Sequence, residues 1–214
     1  MKIGLVITTY NRPEYVNRCL ETIRALKQFP DAIYVYDDCS DNLDSLTMIA
    51  TLYTIGTRCS FIRAAKNEGI QNSILKAFDR LIWEGYDVLI NLDADAIVKP
   101  DFITRLTDML AKHPDKIITG FNTITGGRHK PVSYFDGGVY KRTIGGINMC
   151  MTAETYRDIV RPNLTAKNWD WKVCEEMQRR NKYFVALTPS CVQHIGLVSS
   201  MGHYDGGVDV ADDF

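Results

Sequence analysis

The sequence predicts an α/β fold: a mostly parallel central sheet flanked by helices, followed by a less regular C-terminal half. Two observations lead there. Short, almost wholly apolar runs alternate with longer segments whose apolar residues recur at helical spacing, the pattern of strands buried on both faces between crossover helices. Three of the early runs also end in polar clusters, as strands do where an open sheet presents a ligand-binding rim.

Bulk properties narrow the class. At 214 residues the chain is long enough for one well-buried core and short for two. Hydrophobic residues make up 45% and charged residues 24%, the balance of a globular protein. Lys and Arg number 25 against 26 Asp and Glu, so there is no basic excess and nucleic acid is not an expected partner. The six cysteines are scattered without a C-x-x-C pair, which suits reduced thiols packing as small hydrophobes. No basic and apolar leader precedes the first strand, and no apolar run approaches the length of a membrane span. A soluble cytoplasmic protein with no transmembrane segment is the expectation.

The elements follow in order. Ile3 to Thr8 reads as a buried strand, and Tyr10-Asn11-Arg12-Pro13 breaks it, with Pro13 suited to a first helical turn. From Glu14 to Leu26 the apolar residues keep helical spacing. Ala32 to Tyr36 is a second strand ending in Asp37-Asp38, Leu46 to Tyr53 a helix, and Cys59 to Arg63 a third strand. Asn67-Glu68-Gly69 opens the helix Ile70 to Trp83. Tyr86 to Leu92 is the most apolar strand, and it runs into Asp93-Ala94-Asp95. A helix over Phe102 to Lys112 and a strand over Lys116 to Gly120 complete the regular part.

Gly126-Gly127, Gly137-Gly138 and Gly145-Gly146 then punctuate the chain, which predicts hairpins and loops over one edge of the sheet. Thr152 to Val160 and Trp169 to Asn181 read as helices, and Tyr183 to Leu187 as a last strand. The expected organisation is one domain over residues 1–204. Its donor-binding half covers about 1–100 and its acceptor half about 101–204, and 205–214 reads as an acidic tail or linker.

If the sheet is parallel, Thr8-Thr9-Tyr10-Asn11, Asp37-Asp38 and Asp93-Ala94-Asp95 converge on one rim. Asp93 and Asp95 either share a divalent cation, Mg²⁺ or Mn²⁺, able to bridge nucleotide phosphates, or merely solvate a strand end. Asp38 either accepts the N3–H of a uracil or caps a turn. His194 is a candidate to complete the metal site, with His203 a second, although a lone histidine is more often an ordinary residue. Asp170 sits between Trp169 and Trp171 at a predicted helix start. Apolar flanks raise a carboxyl pKa and suit a general base, while the competing reading is an N-capping Asp with two core tryptophans.

Taken in order, these segments resemble family 2-like glycosyltransferases of the GT-A fold. Ile7-Thr8-Thr9-Tyr10-Asn11-Arg12-Pro13 is similar to the opening segment that lines the uridine pocket, and Tyr36-Asp37-Asp38-Cys39-Ser40 to the turn whose second Asp binds uracil. Lys66-Asn67-Glu68-Gly69 resembles the helix start beside the nucleotide. Asp93-Ala94-Asp95 matches the D-x-D that contacts ribose, phosphate and metal, and Gly145-Gly146-Ile147-Asn148 the Gly-rich segment near the transferred sugar. Val192-Gln193-His194-Ile195-Gly196 resembles a late stretch whose His reaches the metal. The compact size is also similar to glycosyltransferase domains of large algal viruses that decorate capsid protein.

The resemblance implies a UDP-sugar donor, a glycan or glycoprotein acceptor, a Mn²⁺ or Mg²⁺ cofactor and inverting transfer of a hexose or deoxyhexose. It places Thr8, Thr9, Tyr10, Arg12, Asp38, Lys66, Asn67, Asp93, Ala94 and Gly146 at the nucleotide-sugar, and Asp95, Asp93 and His194 at the metal. Asp170 takes the base role. Two departures stand out: Ala96 replaces a third acidic residue after the D-x-D, and Trp169-Asp170 replaces an acidic pair. The rival readings are a sugar nucleotidyltransferase, a glycan-binding module that has lost catalysis, and a dinucleotide oxidoreductase. The last lacks G-x-G-x-x-G after the first strand.

Overall fold

The computed structural model describes residues 1–124, 128–165, 167–196, 209–211 and 213–214. The second histidine candidate, His203, and the Gly126-Gly127 pair lie outside them. The first half is a regular alternation of β1 (Ile3–Thr9), α1 (Pro13–Arg24), β2 (Ala32–Asp37), α2 (Ser45–Tyr53), β3 (Arg58–Arg63), α3 (Ile70–Trp83) and β4 (Val88–Asp93). Strands β3, β2, β1 and β4 lie side by side in that order and pair in parallel. The expected elements are therefore present, with ends displaced by a residue or two.

Every β1 residue is buried, and successive side chains point to opposite faces. Leu5 and Ile7, with Ile33, Val35, Ile90 and Leu92, join one apolar core shared with Val16 and Leu20 of α1. Val6, Tyr34 and Leu89 join the other, with Phe78 and Leu81 of α3. Nearly continuous hydrophobic runs are required here because helices cover both faces of the sheet.

The second half departs from the expected order. β5 (Ala96–Val98) follows the D-x-D immediately, then come α4 (Phe102–Lys112) and β6 (Ile118–Thr119). β7 (Pro131–Phe135) and β8 (Gly138–Lys141) form the expected hairpin at the sheet edge. The Gly145-Gly146 segment does not lie over that edge. It feeds β9 (Asn148–Thr152), which inserts into the sheet between β4 and β6 and runs antiparallel to both.

Among the described residues the sheet has nine strands in the order β3-β2-β1-β4-β9-β6-β10-β8-β7, where β10 is Phe184–Leu187. All but β9 and β8 point the same way. The helix expected over Thr152 to Val160 is irregular. A short α5 (Ala153–Thr155) becomes a π-helical stretch, Tyr156–Val160, then a 3₁₀ turn, Arg161–Asn163, where Pro162 brings no amide donor. α6 (Trp169–Arg179) returns to regular geometry. A small separate ladder pairs β5 with β11 (Val192–His194). The described residues of the tail pack on the body: the Asp213 carboxylate accepts the Ser190 N–H at 2.9 Å, and Ala211 and Gln193 are hydrogen-bonded to each other. No described helix is long and apolar enough to cross a membrane.

Candidate active site

Parallel register brings the strand ends together. Thr8 of β1 lies beside Tyr36 of β2 on one side and Asp93 of β4 on the other. The loops beyond are knitted by backbone bonds, with the Asp38 N–H donating to the Thr9 carbonyl and the Ala94 N–H to the Thr8 carbonyl. Asn11 adopts φ 52° and Cys39 φ 66°, left-handed conformations that turn both loops sharply. The Asn11 side chain accepts the Asp41 N–H at 2.8 Å, tying the first loop to the second. Both Asp38 oxygens accept backbone N–H groups, from Glu68 at 2.9 Å and Gly69 at 2.8 Å, so this carboxylate braces the start of α3. Gly69 has φ +90° there, open to glycine at low cost.

β9 sets the floor. Buried Asn148 donates to the Asn91 carbonyl at 2.7 Å, and Asn91 donates to the Gly146 carbonyl at 2.7 Å. These bonds hold Gly146 against β4, one strand residue from the D-x-D. A Cβ on Gly146 would come within 2.9 Å of the Trp169 ring and 3.4 Å of the Asp170 Cβ. Glycine is required there because the first turn of α6 packs directly on the backbone.

The short ladder explains the place of His194. β11 pairs antiparallel with β5 so that His194 is opposite Ala96, and the Ile195 N–H donates to the Asp95 carbonyl at 2.8 Å. The His194 Nε2 then stands 3.2 Å from the Asp95 carboxylate, while Nδ1 faces the Asp209 carbonyl at 3.2 Å. The Arg12 guanidinium pairs with the same Asp95 oxygen. Gly196 backs onto this knot, with room for no side chain against Asp95 and His194.

The two carboxylates behave differently. Burial, then the neighbouring Asp95 and Asp170 charges, pushes Asp93 well above the ordinary carboxylate range. Burial opposes ionisation of Asp95 too, but His194 and Arg12 bring it below its usual value. His194 is correspondingly raised: burial works against its charge, and the Asp95 carboxylate outweighs it. Asp93 Oδ1 is buried without a hydrogen-bond partner among the described residues. Hard carboxylate oxygens and one imidazole suit a divalent cation, and the partnerless Oδ1 of Asp93 is an oxygen such an ion could satisfy. Among the described residues no group of three or more His, Cys, Asp or Glu side chains is arranged to hold a metal ion.

All of this opens on one cleft of about 780 Å³. Its lining includes Thr8, Thr9, Tyr10, Arg12, Asp38, Asn67, Asp93, Ala94, Asp95, Gly146, Asp170 and His194, the residues expected from sequence. Lys66 is the exception. It is exposed and lines a neighbouring depression with Asn67, Glu68, Asn72 and Lys76.

Asp170 lies inside the first turn of α6, whose N-cap is Asn168, and burial raises its carboxyl above the ordinary range. The competing reading, an N-capping Asp with two core tryptophans, holds for one ring only: the N-cap is Asn168, Trp169 is 4% exposed and Trp171 40%. Sequence reasoning missed His129, buried at the cleft wall and stacked on the Trp171 ring at 5.6 Å. It also passed over Phe121, Thr123, Arg128 and Lys167, which line the same cleft. No periodic or motif signal marks any of these five, since each reaches the cleft from irregular backbone.

Residues 5–142 match the family model of Glycosyl transferase family 2. The chain belongs to that family. An N-acetylglucosaminyltransferase of Mesorhizobium japonicum is 32% identical over 106 residues, covering 49% of this chain and 24% of that protein. The chain thus spans about a quarter of the length of this relative. An undecaprenyl-phosphate mannosyltransferase of Micrococcus luteus is 24% identical over 177 residues, covering 79% of this chain and 71% of that protein. Among solved structures, GalNAc-T7 with UDP, GalNAc and Mn²⁺ is similar with a TM-score of 0.73 at 13% identity, over 92% of this chain and 44% of that one. The fold of this family 2 chain is the GT-A fold, as the resemblance implied.

Proposed function

We propose that this family 2 chain is a divalent-cation-dependent, inverting glycosyltransferase. In this reading it moves a hexose or deoxyhexose from a UDP-sugar to a hydroxyl of a glycan or glycoprotein acceptor. The observation that carries the reading is the meeting, in one cleft, of the β1, β2 and β4 rim with the buried carboxyl of Asp170. The rim residues Thr8, Thr9, Tyr10 and Asp38 line the end that would take the nucleoside, and Asn67 and Gly69 stand beside them. Asp93, Ala94 and Gly146 line the stretch between that end and Asp170. In this division, residues up to about 100 bind the donor and the remainder presents the acceptor.

Asp95 and His194, with Asp93 alongside, would hold Mn²⁺ or Mg²⁺. A cation there supplies charge neutralisation for a leaving diphosphate. Arg12, already paired to Asp95, orients that carboxylate and adds positive charge to the same end of the cleft. Asp170 takes the acceptor proton, and its raised pKa brings its basicity closer to working pH. Support for the nucleotide comes from a structural neighbour bound to UDP and Mn²⁺. The names of two relatives, which move N-acetylglucosamine and mannose, set the first donors to test.

The test has two arms. Calorimetry with UDP should show binding that strengthens with Mn²⁺. Metal-independent or absent binding would sink the reading in favour of a glycan-binding module that has lost catalysis. A UDP-release screen over a panel of UDP-sugars should then find one donor, and Asp170→Asn should lower its turnover by roughly 10²–10⁴-fold with UDP affinity retained. Wild-type turnover in that variant would move the base elsewhere.

A further inference from the structure

We infer that Trp171, backed by His129, forms an acceptor subsite that stacks on the apolar face of a pyranose ring, so that the attacking hydroxyl belongs to a sugar. The inference rests on the transfer reading above and adds the chemical class of the acceptor to it.

Successive residues of a helix point about 100° apart, so the first turn of α6 sends its three side chains in three directions. Trp169 packs in the core with only its margin reaching the cleft, Asp170 lines the cleft, and Trp171 lines it while staying 40% exposed. An indole is the largest apolar surface a side chain offers, and a half-open one on the wall of a binding cleft is a natural contact for a ligand.

The ring is held in place. His129 stacks on it with centroids 5.6 Å apart and planes 25° from parallel. His129 is itself only 7% exposed, and its Nδ1 is 2.9 Å from the Thr143 hydroxyl. Its backbone adopts φ 55°, left-handed and uncommon for a residue with a side chain. Burial, helped by the nearby Lys141 charge, keeps the imidazole below its usual pKa, so at neutral pH it is an uncharged aromatic support. Trp171 is therefore a flat face backed by a second ring that is anchored to its own strand-end loop.

Pyranoses are amphipathic: their hydroxyls spread around the ring edge while axial C–H groups make one or both faces apolar. An aromatic plate satisfies that face, and polar groups at its margin satisfy the edge. Such groups are present in the cleft, which Asp170 and Lys167 also line. A sugar stacked on Trp171 would present its edge hydroxyls to the cleft that Asp170 also lines. A nucleobase is the rival occupant. The nucleoside end of the cleft, however, is built by the β1 and β2 loops and the start of α3, whereas Trp171 and His129 belong to the second half of the chain.

Saturation-transfer NMR tests this with the full chain, UDP and Mn²⁺, using methyl glycosides of glucose, galactose, mannose and N-acetylglucosamine as probes. Saturation should concentrate on the ring protons of one face of at least one glycoside. Trp171→Ala should abolish it and Trp171→Phe should keep most of it, with UDP affinity by calorimetry close to wild type in both. Once a donor is known, Trp171→Ala should raise the acceptor KM by roughly tenfold, the loss of about one stacking contact, with a smaller change in kcat. His129→Ala should move the same parameter in the same direction.

Saturation that persists unchanged in Trp171→Ala overturns the subsite, and so does saturation of no glycoside. A drop in UDP affinity in Trp171→Ala assigns the ring to the donor and overturns it as well. Glycoside binding that depends on Trp171, in a chain that transfers no sugar, upholds the subsite and sinks the transferase reading, so the two failures are distinguishable.

Discussion

Asp170 and the two tryptophans around it show what a residue's neighbours in sequence leave open. The apolar flanks suggest a raised carboxyl pKa, and burial does raise it, but only Trp169 is fully withdrawn from solvent. The sign of the pH effect follows. A raised pKa keeps the carboxyl protonated to higher pH, so the base form and the transfer rate grow as pH rises through a value above the ordinary carboxylate pKa of about 3.9. The acid limb of kcat/KM should lie above that figure and vanish from the residual activity of Asp170→Asn. Stability runs the other way. A carboxyl whose folded pKa is raised contributes fully below the unfolded value and loses that contribution as pH rises through the folded one. Asp170→Asn should therefore melt no lower than wild type at neutral pH. A lower melting temperature would mark the residue as structural. His129 illustrates the opposite case, a single histidine with no motif around it, made visible only by the ring it stacks on.

At the scale of elements, β1, β2 and β4 were legible because each is an apolar run long enough to be buried on both faces, while β3, half-exposed at the sheet edge, showed only in its short apolar centre. β5, β9 and β11 were not. β5 and β11 span three residues each, too few for any period to show, and β9 follows a Gly-rich stretch that reads as loop. Yet these strands build the site: the β5–β11 ladder delivers His194 to Asp95, and β9 carries Gly146 to the start of α6. Gly146→Ala tests that arrangement. Its methyl group would press on the Trp169 ring at 2.9 Å and shift the α6 turn that holds Asp170. Because a displacement of about 1 Å costs on the order of 10²-fold in rate, transfer should fall steeply while the far-ultraviolet circular dichroism stays that of the wild type. Unimpaired turnover would show that α6 tolerates the shift.

Across the whole molecule, two apolar cores sandwich the sheet, and the C-terminal residues close over one end of it. Asp213 reaches back to Ser190 and Asn122, Ala211 bonds Gln193, and the Asp209 carbonyl faces His194. An acidic stretch with few structure signals gave no sign of this, because its contacts are isolated backbone and side-chain hydrogen bonds and one buried alanine rather than a repeating apolar pattern. Asp213→Ala removes a charged acceptor and leaves the buried Ser190 N–H without its partner. The expected loss is about 1–3 kcal/mol in denaturant unfolding. A variant as stable as wild type would show that the tail's docking adds nothing to the fold.

The sequence by itself determined the α/β alternation, the parallel first half and the convergence of Thr8, Asp38 and the D-x-D on one rim. Those features follow from local periodicity and from the rule that parallel strands share one carboxyl end. Only the tertiary structure decided that His194 meets Asp95, that Lys66 lines a neighbouring depression instead of the cleft, and that of the two tryptophans lining the cleft Trp171 is the exposed one. Each of these depends on contacts between distant segments or on the rotation of one helix, and neither is written in the spacing of nearby residues.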